Sequence, residues 1–131
     1  MLEPDLHTLV EAARQARDRA YTPYSNFTVG AAVLCQTGEV ITGVNVENAS
    51  YGLSICAERV AITRAVAEGQ RKFAAIAIAV VGEHQPLPCG ACCQVLAEFC
   101  DLQTPVYLAN DQAEVQTCML SDFLPQPFTL K

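Results

Sequence analysis

Cys56-Ala57-Glu58-Arg59 is the stretch around which this chain of 131 residues is organised, and Pro88-Cys89-Gly90-Ala91-Cys92 is its partner. Together the two stretches supply three thiols and one carboxylate. Three thiolates suit a zinc ion, because a tetrahedral shell with three protein ligands keeps its fourth position for water. A carboxylate two residues from one ligand reaches that water without binding the metal. The spacing therefore predicts a site for one zinc ion, with Glu58 as its acid–base partner.

The three predicted metal ligands are Cys56, Cys89 and Cys92. A Cys-x-x-Cys pair at the start of a predicted helix has both sulfur atoms on one side of the first turn. Cys56 begins another predicted helix, so two helix N-termini would lend partial positive charge to the thiolates. Three thiolates carry more charge than Zn²⁺ neutralises. Arg59, one turn into its helix, can turn back toward the sulfur atoms and offset part of the excess.

Two other interpretations of these cysteines compete with a catalytic zinc site. A Cys-x-x-Cys pair also occurs as a redox pair or as two small core residues, although the Cys56-Ala57-Glu58 motif disfavours both. A structural zinc site would need a fourth cysteine. Cys93 is turned about 100° around the helix from its neighbour in the pair, so it points away from the site. Cys100 lies about 12 Å further along the helix axis, which is too far for a fourth ligand. Cys35 and Cys118 fall in strand patterns and are predicted to be core residues.

Glu58 is the candidate catalytic residue. Zinc lowers the pKa of bound water toward about 7, and a nearby carboxylate can accept that proton and pass it to a substrate. The alternative is a solvated carboxylate in a first helical turn, where the helix dipole favours negative charge. Its place two residues from a predicted ligand favours the catalytic interpretation.

The length and composition limit the classes of protein to which this chain can belong. The length fits one domain, residues 1–131, with its own core. Seven cysteines and a start, Met1-Leu2-Glu3-Pro4-Asp5, unlike a signal peptide predict reduced thiols and a cytoplasmic location rather than a disulfide framework. The net charge is −6, and there is no basic stripe or membrane-length apolar run. Neither a nucleic-acid polymer nor a membrane is therefore an expected partner.

Apolar periodicity predicts an alternation of helices and strands. The predicted helices run from about Pro4 to Ala20, from Cys56 to Glu68 and from Cys89 to Cys100. The predicted strands are Phe27–Cys35 and Val40–Val46 in a hairpin, the fully buried Phe73–Val81, Pro105–Ala109 and Glu114–Cys118. The predicted buried stripe of the second helix is Val60, Ala61, Ala65 and Val66, and on the third helix Val95, Leu96 and Phe99 are predicted to point inward. This order predicts a single mixed sheet with helices on its faces.

The chain resembles the small cytidine deaminases of the homotetrameric kind. Besides the cysteine motifs, the matching stretches follow the family's order over almost the whole chain: Tyr24 to Ala32, Asn45 to Tyr51, Gln94, and Leu124-Pro125 with Phe128. The resemblance implies an α/β fold, a three-layer α/β/α sandwich with one five-stranded mixed sheet. It implies hydrolytic deamination of free cytidine and 2′-deoxycytidine in pyrimidine salvage. Zinc-bound hydroxide would attack C4, while Glu58 carries protons to N3 and to the departing ammonia.

The resemblance also implies roles for individual residues in substrate binding. Asn45 and Glu47 match positions that hydrogen-bond the ribose 3′-hydroxyl, and being two apart at a strand end they point the same way. Phe27 matches a ring that packs against the base, and Ala57 matches a backbone contact to the pyrimidine. Phe128 matches an aromatic side chain that reaches into a neighbouring subunit's site. Simple core packing of Phe27 and a solvated strand end at Glu47 are the open alternatives.

One position departs from the family's pattern. The second motif usually continues Cys-Arg-Gln, whereas this chain has Cys92-Cys93-Gln94. The positive charge of that position is lost. Arg59, to which the resemblance assigns charge compensation at the zinc site, is then expected to provide it alone.

Three other functions share part of these motifs. A polynucleotide-editing deaminase should have a basic or aromatic groove. An aminonucleoside-antibiotic deaminase should lack the Asn45-Val46-Glu47-Asn48 set. A zinc module without catalysis would not need Glu58.

Overall fold

The computed structural model describes residues 6–112 and 114–130, so the predicted helix start at Pro4 lies outside them. The helices are α1 (Leu6–Arg17), α2 (Ala57–Ala67) and α3 (Gly90–Phe99). The strands are β1 (Val29–Cys35), β2 (Val40–Val44), β3 (Phe73–Val80), β4 (Pro105–Ala109) and β5 (Gln116–Met119). Two short 3-10 turns, Tyr51–Leu53 and Leu120–Asp122, complete the secondary structure of the described residues.

The predicted elements are present, but several of their ends differ from the predicted bounds. Helix α1 ends at Arg17 rather than Ala20, because the next backbone N–H groups bond three residues back and tighten the chain into a turn. Strand β1 begins at Val29 rather than Phe27, whose carbonyl accepts a hydrogen bond from the Asn45 side chain (2.8 Å) instead of from a strand. Strand β5 starts at Gln116 rather than Glu114.

The five strands form one mixed sheet in the order β2-β1-β3-β4-β5. Strands β3 and β4 are parallel and are joined through α3, while the other neighbouring pairs are antiparallel. This confirms the predicted sheet. No helix in residues 6–112 and 114–130 combines the length and apolar character needed to cross a bilayer.

Helices cover both faces of the sheet, which confirms the three-layer arrangement. Helix α1 packs on one face, where Leu9 and Ala13 meet the alanine-rich side of β1 and β3. Helices α2 and α3 pack on the other face, where Ile62 and Leu96 meet Ile76 and neighbouring side chains. Strand β1 is thus buried on both faces, like β3.

The buried stripe of α2 was predicted partly wrongly, whereas the inward-facing residues of α3 were predicted correctly. On α2 the buried residues are Ala57, Glu58, Ala61, Ile62 and Ala65, whereas Val60 and Val66 are half-buried. A hydropathy pattern counts Glu58 as polar and therefore excludes it from the predicted stripe. Because Glu58 points inward, the observed stripe is rotated around the helix relative to the predicted one. On α3 the predicted Leu96 is buried, and Val95 and Phe99 are half-buried and pack against the same core; Cys92 and Cys93 are buried as well.

Two glycines allow the helices to lie close against the sheet. A Cβ atom added at Gly43 of β2 would lie 2.3 Å from the backbone nitrogen of Ala61, and one at Gly30 of β1 would lie 2.0 Å from the carbonyl oxygen of Ala13. Side chains larger than hydrogen would therefore push α2 and α1 off the sheet. The close contact at Gly43 determines the position of α2, whose first turn carries half of the predicted site.

Candidate metal centre and active site

The sulfur atoms of Cys56, Cys89 and Cys92 lie within 4.8 Å of one another, and those of Cys89 and Cys92 are 3.3 Å apart. Tetrahedral zinc with Zn–S bonds of about 2.3 Å holds its sulfur ligands about 3.8 Å apart. The three thiols therefore fit one zinc ion. Within residues 6–112 and 114–130, no other group of three or more histidine, cysteine or acidic side chains has such spacing.

Two helix N-termini bring these sulfur atoms together. Cys56 is the N-cap of α2 and Cys89 is the N-cap of α3. The backbone N–H of Cys92 donates a hydrogen bond to the Cys89 sulfur (3.4 Å), which uses one of the N–H groups that a first helical turn leaves without a helical partner. A hydrogen bond from the Cys92 thiol lowers the pKa of Cys56 to about 5, while the same contact raises the pKa of Cys92. The site thus favours a thiolate at Cys56, the form in which a cysteine binds zinc.

Arg59 supplies positive charge to the thiols. Its Nη2 atom lies 3.6 Å from the Cys56 sulfur and donates a hydrogen bond to it. Cys93, which stands where the family usually has arginine, is buried in the core between helix and sheet. Burial raises the pKa of the Cys93 thiol to about 11, so this side chain is neutral and adds no charge.

Glu58 is buried, with 5% of its surface exposed, and lines a cavity of about 230 Å³. Burial raises the pKa of the Glu58 carboxyl group to about 7. A group with such a pKa accepts and donates protons readily near neutral pH. The burial of Glu58 disfavours the alternative of a solvated carboxylate. Cys56 and Cys89 line the same cavity, so Glu58 shares this space with two of the three thiols that fit a metal ion.

A second cavity, of about 390 Å³, opens beside the first and shares Asn45 and Cys56 with it. We call the cavity that contains Glu58 the inner cavity and the second one the outer cavity. The other residues that line the outer cavity are Tyr24, Ser25, Glu47, Tyr51, Ser54 and Ile55. Asn45 and Glu47 thus face one space, as their spacing in the sequence predicts.

The Asn45 side chain is fixed by the backbone at the start of β1 and just before it. Its Oδ1 atom accepts a hydrogen bond from the Val29 N–H (2.9 Å), and its Nδ2 atom donates one to the Phe27 carbonyl (2.8 Å). An asparagine amide carries two N–H donors. One of them therefore remains for another acceptor at the boundary between the two cavities.

The Glu47 carboxylate is fixed by the loop that precedes Phe27. Its Oε1 atom accepts hydrogen bonds from the backbone N–H groups of Tyr24 (3.0 Å) and Ser25 (3.1 Å), and its Oε2 atom accepts one from the Ser25 hydroxyl. The hydrogen bond from the Ser25 hydroxyl holds the pKa of Glu47 below its usual value. Glu47 is therefore an ionised acceptor. Two oxygens offer about four acceptor positions, so one position remains open.

Phe27 and Ala57 form part of the wall of the inner cavity. The Phe27 ring meets the His84 ring edge-to-face, with ring centroids 5.1 Å apart. Phe27 is only half-buried and belongs to neither of the two core clusters of the described residues, which disfavours the core-packing alternative. Ala57 is the first residue of α2, where its backbone N–H has no helical partner.

Phe128 lies apart from these cavities. This residue is 71% exposed, and its backbone is held by the Gln94 amide through two hydrogen bonds, Nε2 to the Phe128 carbonyl (2.8 Å) and the Phe128 N–H to Oε1 (3.2 Å). Within the described chain, the other predicted site residues therefore come together at one place or its edge, and Phe128 alone among them points elsewhere.

Sequence reasoning missed several residues that shape the site. Ser25 and Tyr24 hold Glu47, and Tyr51 lines the outer cavity with its ring edge-on to Tyr24 at 6.1 Å. The segment 85–87 closes the inner cavity. The tyrosines and Ser25 lie inside the stretches that carry the resemblance, which was a usable signal. The loop before Cys89 carries no signal beyond its prolines.

Comparison with known proteins agrees with this geometry. The family model for the "Cytidine and deoxycytidylate deaminase zinc-binding region" matches residues 4–109. A cytidine deaminase of Halalkalibacterium halodurans is 50% identical over 125 residues, which are 95% of this chain and 95% of that protein. A cytidine deaminase of Mycobacterium tuberculosis H37Rv is 39% identical over 132 residues, 99% of this chain and 94% of that protein. The crystal structure of a cytidine deaminase from Burkholderia pseudomallei, 49% identical, superposes with a TM-score of 0.88 over 93% of this chain and 98% of that one.

Proposed function

We propose that this chain, which belongs to the cytidine deaminase family, hydrolyses the exocyclic amine of free cytidine and 2′-deoxycytidine. The products are uridine or deoxyuridine and ammonia, and the role is pyrimidine salvage. The observation that carries the proposal is the buried carboxyl group of Glu58 in one cavity with two zinc-ligand thiols. Burying a carboxyl group costs free energy, so a zinc module without catalysis would have no reason to keep it there.

Cys56, Cys89 and Cys92 would hold one zinc ion per chain, and three protein ligands are the number found in catalytic sites. When bound, the ion supplies a Lewis acid that lowers the pKa of water toward about 7. Arg59 and the N-termini of α2 and α3 reduce the excess negative charge of three thiolates. The neutral thiol of Cys93 leaves Arg59 as the side chain that performs this task.

Glu58 moves the protons of the reaction. It takes a proton from the attacking water and delivers it to N3 of the cytosine ring. A bond then forms between C4 and oxygen. A second proton passes through Glu58 to the exocyclic amine, the C4–N4 bond breaks, and ammonia leaves. A carboxyl group whose pKa lies near 7 suits both directions of transfer.

The inner cavity suits the base. Phe27 would provide an apolar ring for the flat pyrimidine, and the backbone N–H of Ala57, which has no partner within the helix, would provide a donor at its edge. The outer cavity suits the sugar. The open acceptor position of Glu47 and the second N–H of Asn45 would meet the ribose 3′-hydroxyl, which can both donate and accept. Holding the sugar there orients C4 toward the metal site.

The assembly we propose is a homotetramer in the cytoplasm, with sites at subunit interfaces. The exposed apolar side chains beside the outer cavity include Tyr51 (74%) and Leu53 (66%). A second copy would bury this rim, as protein interfaces bury aromatic residues. The two hydrogen bonds from Gln94 hold the backbone of Phe128 and leave its ring exposed, so that it would be available to a neighbouring copy's site. Free thiols at a metal site suit a reducing compartment.

Cytidine and deoxycytidine are expected to be turned over at least about tenfold better than CMP and far better than short RNA. A charge-assisted hydrogen bond to Glu47 is worth roughly 1.5–3 kcal/mol, whereas a phosphate brings negative charge to a carboxylate and to a chain of net charge −6. Ammonia release by the purified protein, measured as kcat/KM for each substrate, tests this. Equal kcat/KM for CMP and cytidine would exclude the proposed sugar site.

Glu47→Gln tests the proposed sugar site separately from zinc binding and proton transfer. The variant is expected to weaken cytidine use about tenfold or more, through the lost charge-assisted hydrogen bond, with unchanged zinc content. Ser25→Ala is the matched control, because it removes one hydrogen bond that holds the carboxylate and keeps the charge. Its loss should be smaller. Wild-type cytidine kinetics in Glu47→Gln would contradict the role of Glu47.

Sedimentation is expected to find a tetramer at assay concentrations. Leu53→Asp, which introduces a charge into the exposed apolar rim, should dissociate it and lower activity in parallel, because a charge buried without a partner is costly. Gln15→Asp on the exposed side of α1 is the control and should leave both unchanged. An active wild-type monomer would contradict the proposed assembly.

A further inference from the structure

The loop of residues 81–88, between β3 and α3, forms one wall of the inner cavity. It contributes Gln85, Pro86 and Leu87 to the lining and leads directly into Cys89. Pro86 is buried and Leu87 is 58% exposed at the mouth. The position of this loop therefore determines how closely the cavity wall approaches a bound base.

Arg17, at the end of α1, binds the strand end from which this loop departs. Its Nη1 atom donates a hydrogen bond to the Val80 carbonyl (2.6 Å), and its Nη2 atom forms an ion pair with Asp111 at 2.9 Å. The Arg17 side chain is only 14% exposed. A guanidinium group that satisfies a carbonyl and a carboxylate at once links α1 to the ends of β3 and β4.

Asp111 and Asn110, just after β4, bind the loop itself. The Asp111 carboxylate accepts a hydrogen bond from the Gly82 N–H (2.7 Å), and the Asp111 N–H donates one to the Gly82 carbonyl (2.8 Å). The Asn110 amide donates a hydrogen bond to the His84 carbonyl (3.0 Å). Gly82 has φ = +72°, a conformation that favours glycine and turns the chain at this anchor.

His84 connects the anchored loop to the opposite side of the cavity. Its exposed ring meets the Phe27 ring edge-to-face at 5.1 Å. Because Phe27 lines the inner cavity, the position of His84 also bears on the ring that faces the base. A continuous series of contacts thus runs from α1 to two walls of the inner cavity, the loop 81–88 and Phe27. The residues that make these contacts are Arg17, Asp111, Asn110 and His84.

We propose that Arg17, Asp111 and Asn110 are positioning residues for substrate binding: they anchor the loop 81–88 against the ends of β3 and β4, and His84 extends this anchoring to Phe27. The inference rests on the proposed function, since it concerns how tightly the inner cavity holds the base. None of the four side chains lines the inner cavity, so they act through the wall and not by contact with the reacting atoms.

The test compares Arg17→Gln with Arg64→Gln in the zinc-loaded protein. Arg64 is a matched control, because it also binds a carbonyl (Thr42, 3.1 Å) and a carboxylate (Glu68, 3.2 Å), but on an exposed face away from the cavity. Arg17→Gln is expected to raise the KM for cytidine about tenfold, to change kcat less, and to leave zinc content intact, since misplacing a wall by a fraction of an ångström weakens positioning. Arg64→Gln should have wild-type kinetics.

Amide hydrogen exchange provides a readout that does not depend on turnover. In Arg17→Gln and Asp111→Asn, peptides that cover residues 82–88 should exchange faster than in wild type, while β1 should remain protected. Asp111→Asn carries the test if Arg17→Gln does not fold. Unchanged exchange and an unchanged KM in these variants, or changes that Arg64→Gln reproduces, would overturn the inference.

Variants of His84 test its contact with Phe27 separately. His84→Ala is expected to raise the KM for cytidine about two- to tenfold, as loss of an aromatic pair does, and His84→Phe should restore it. A KM that His84→Ala leaves unchanged would remove His84 from the proposal. A wild-type protein that turns over no cytidine would instead overturn the proposed function, and exchange of the loop would then alone decide the anchoring.

Discussion

Glu58→Gln is expected to abolish nearly all deamination of cytidine while the protein folds and binds zinc. The amide keeps the size of the buried side chain but can neither take the proton of water nor return it. General acid–base catalysis by one group contributes about 10²–10⁴-fold, and Glu58 serves several transfers, so kcat should fall at least a hundredfold. Because the substituted amide carries no charge into a buried site, stability should be preserved or raised.

Ammonia release, zinc analysis and thermal unfolding of the same preparation test this expectation. Glu68→Gln is the matched control, since it makes the same chemical change at the exposed end of α2. It should retain wild-type kinetics. Turnover by Glu58→Gln within tenfold of wild type would remove the proposed proton carrier, and the mechanism would need another acid–base group.

Replacement of any one of the three ligand cysteines is expected to remove zinc and activity together. Cys56→Ala, Cys89→Ala and Cys92→Ala each leave two thiols, too few for a stable tetrahedral site. Metal analysis after dialysis should find about one zinc ion per chain in the wild type and almost none in these variants. Activity should fall to background, because water loses its Lewis acid.

Cys93→Ala and Cys100→Ala are the controls for this set. Cys93 is buried in the core on the sheet side of α3, and Cys100 is packed against the same core at the end of that helix. Both variants should keep zinc, because neither thiol belongs to the group of three that fits the metal. If either variant lost zinc as completely as Cys89→Ala, the site would have a fourth cysteine ligand and would be structural.

The grouping of the three cysteines with Glu58 was predictable from the sequence because it depends on residue types at fixed local spacing. Cys56 and Glu58 share one helical turn, and so do Cys89 and Cys92, so each half of the site follows from helix geometry alone. The mixed sheet was predictable for a similar reason. The period of apolar residues distinguishes helices from strands, and an unbroken apolar run such as Phe73–Val80 indicates a central strand.

The state of the side chains follows only from the packing of the folded chain. A hydropathy pattern treats Glu58 as polar, whereas the packed structure buries it, and that burial raises its pKa. Likewise, no local pattern pairs Glu47 with Ser25, or Arg17 with Asp111, which are 94 residues apart. Such contacts depend on how the sheet brings distant strand ends together. Residue types and local spacing therefore establish which groups are present and which share a turn. Which of these groups are buried, charged and within reach of one another depends on the fold, because burial and long-range contact are properties of the packed chain.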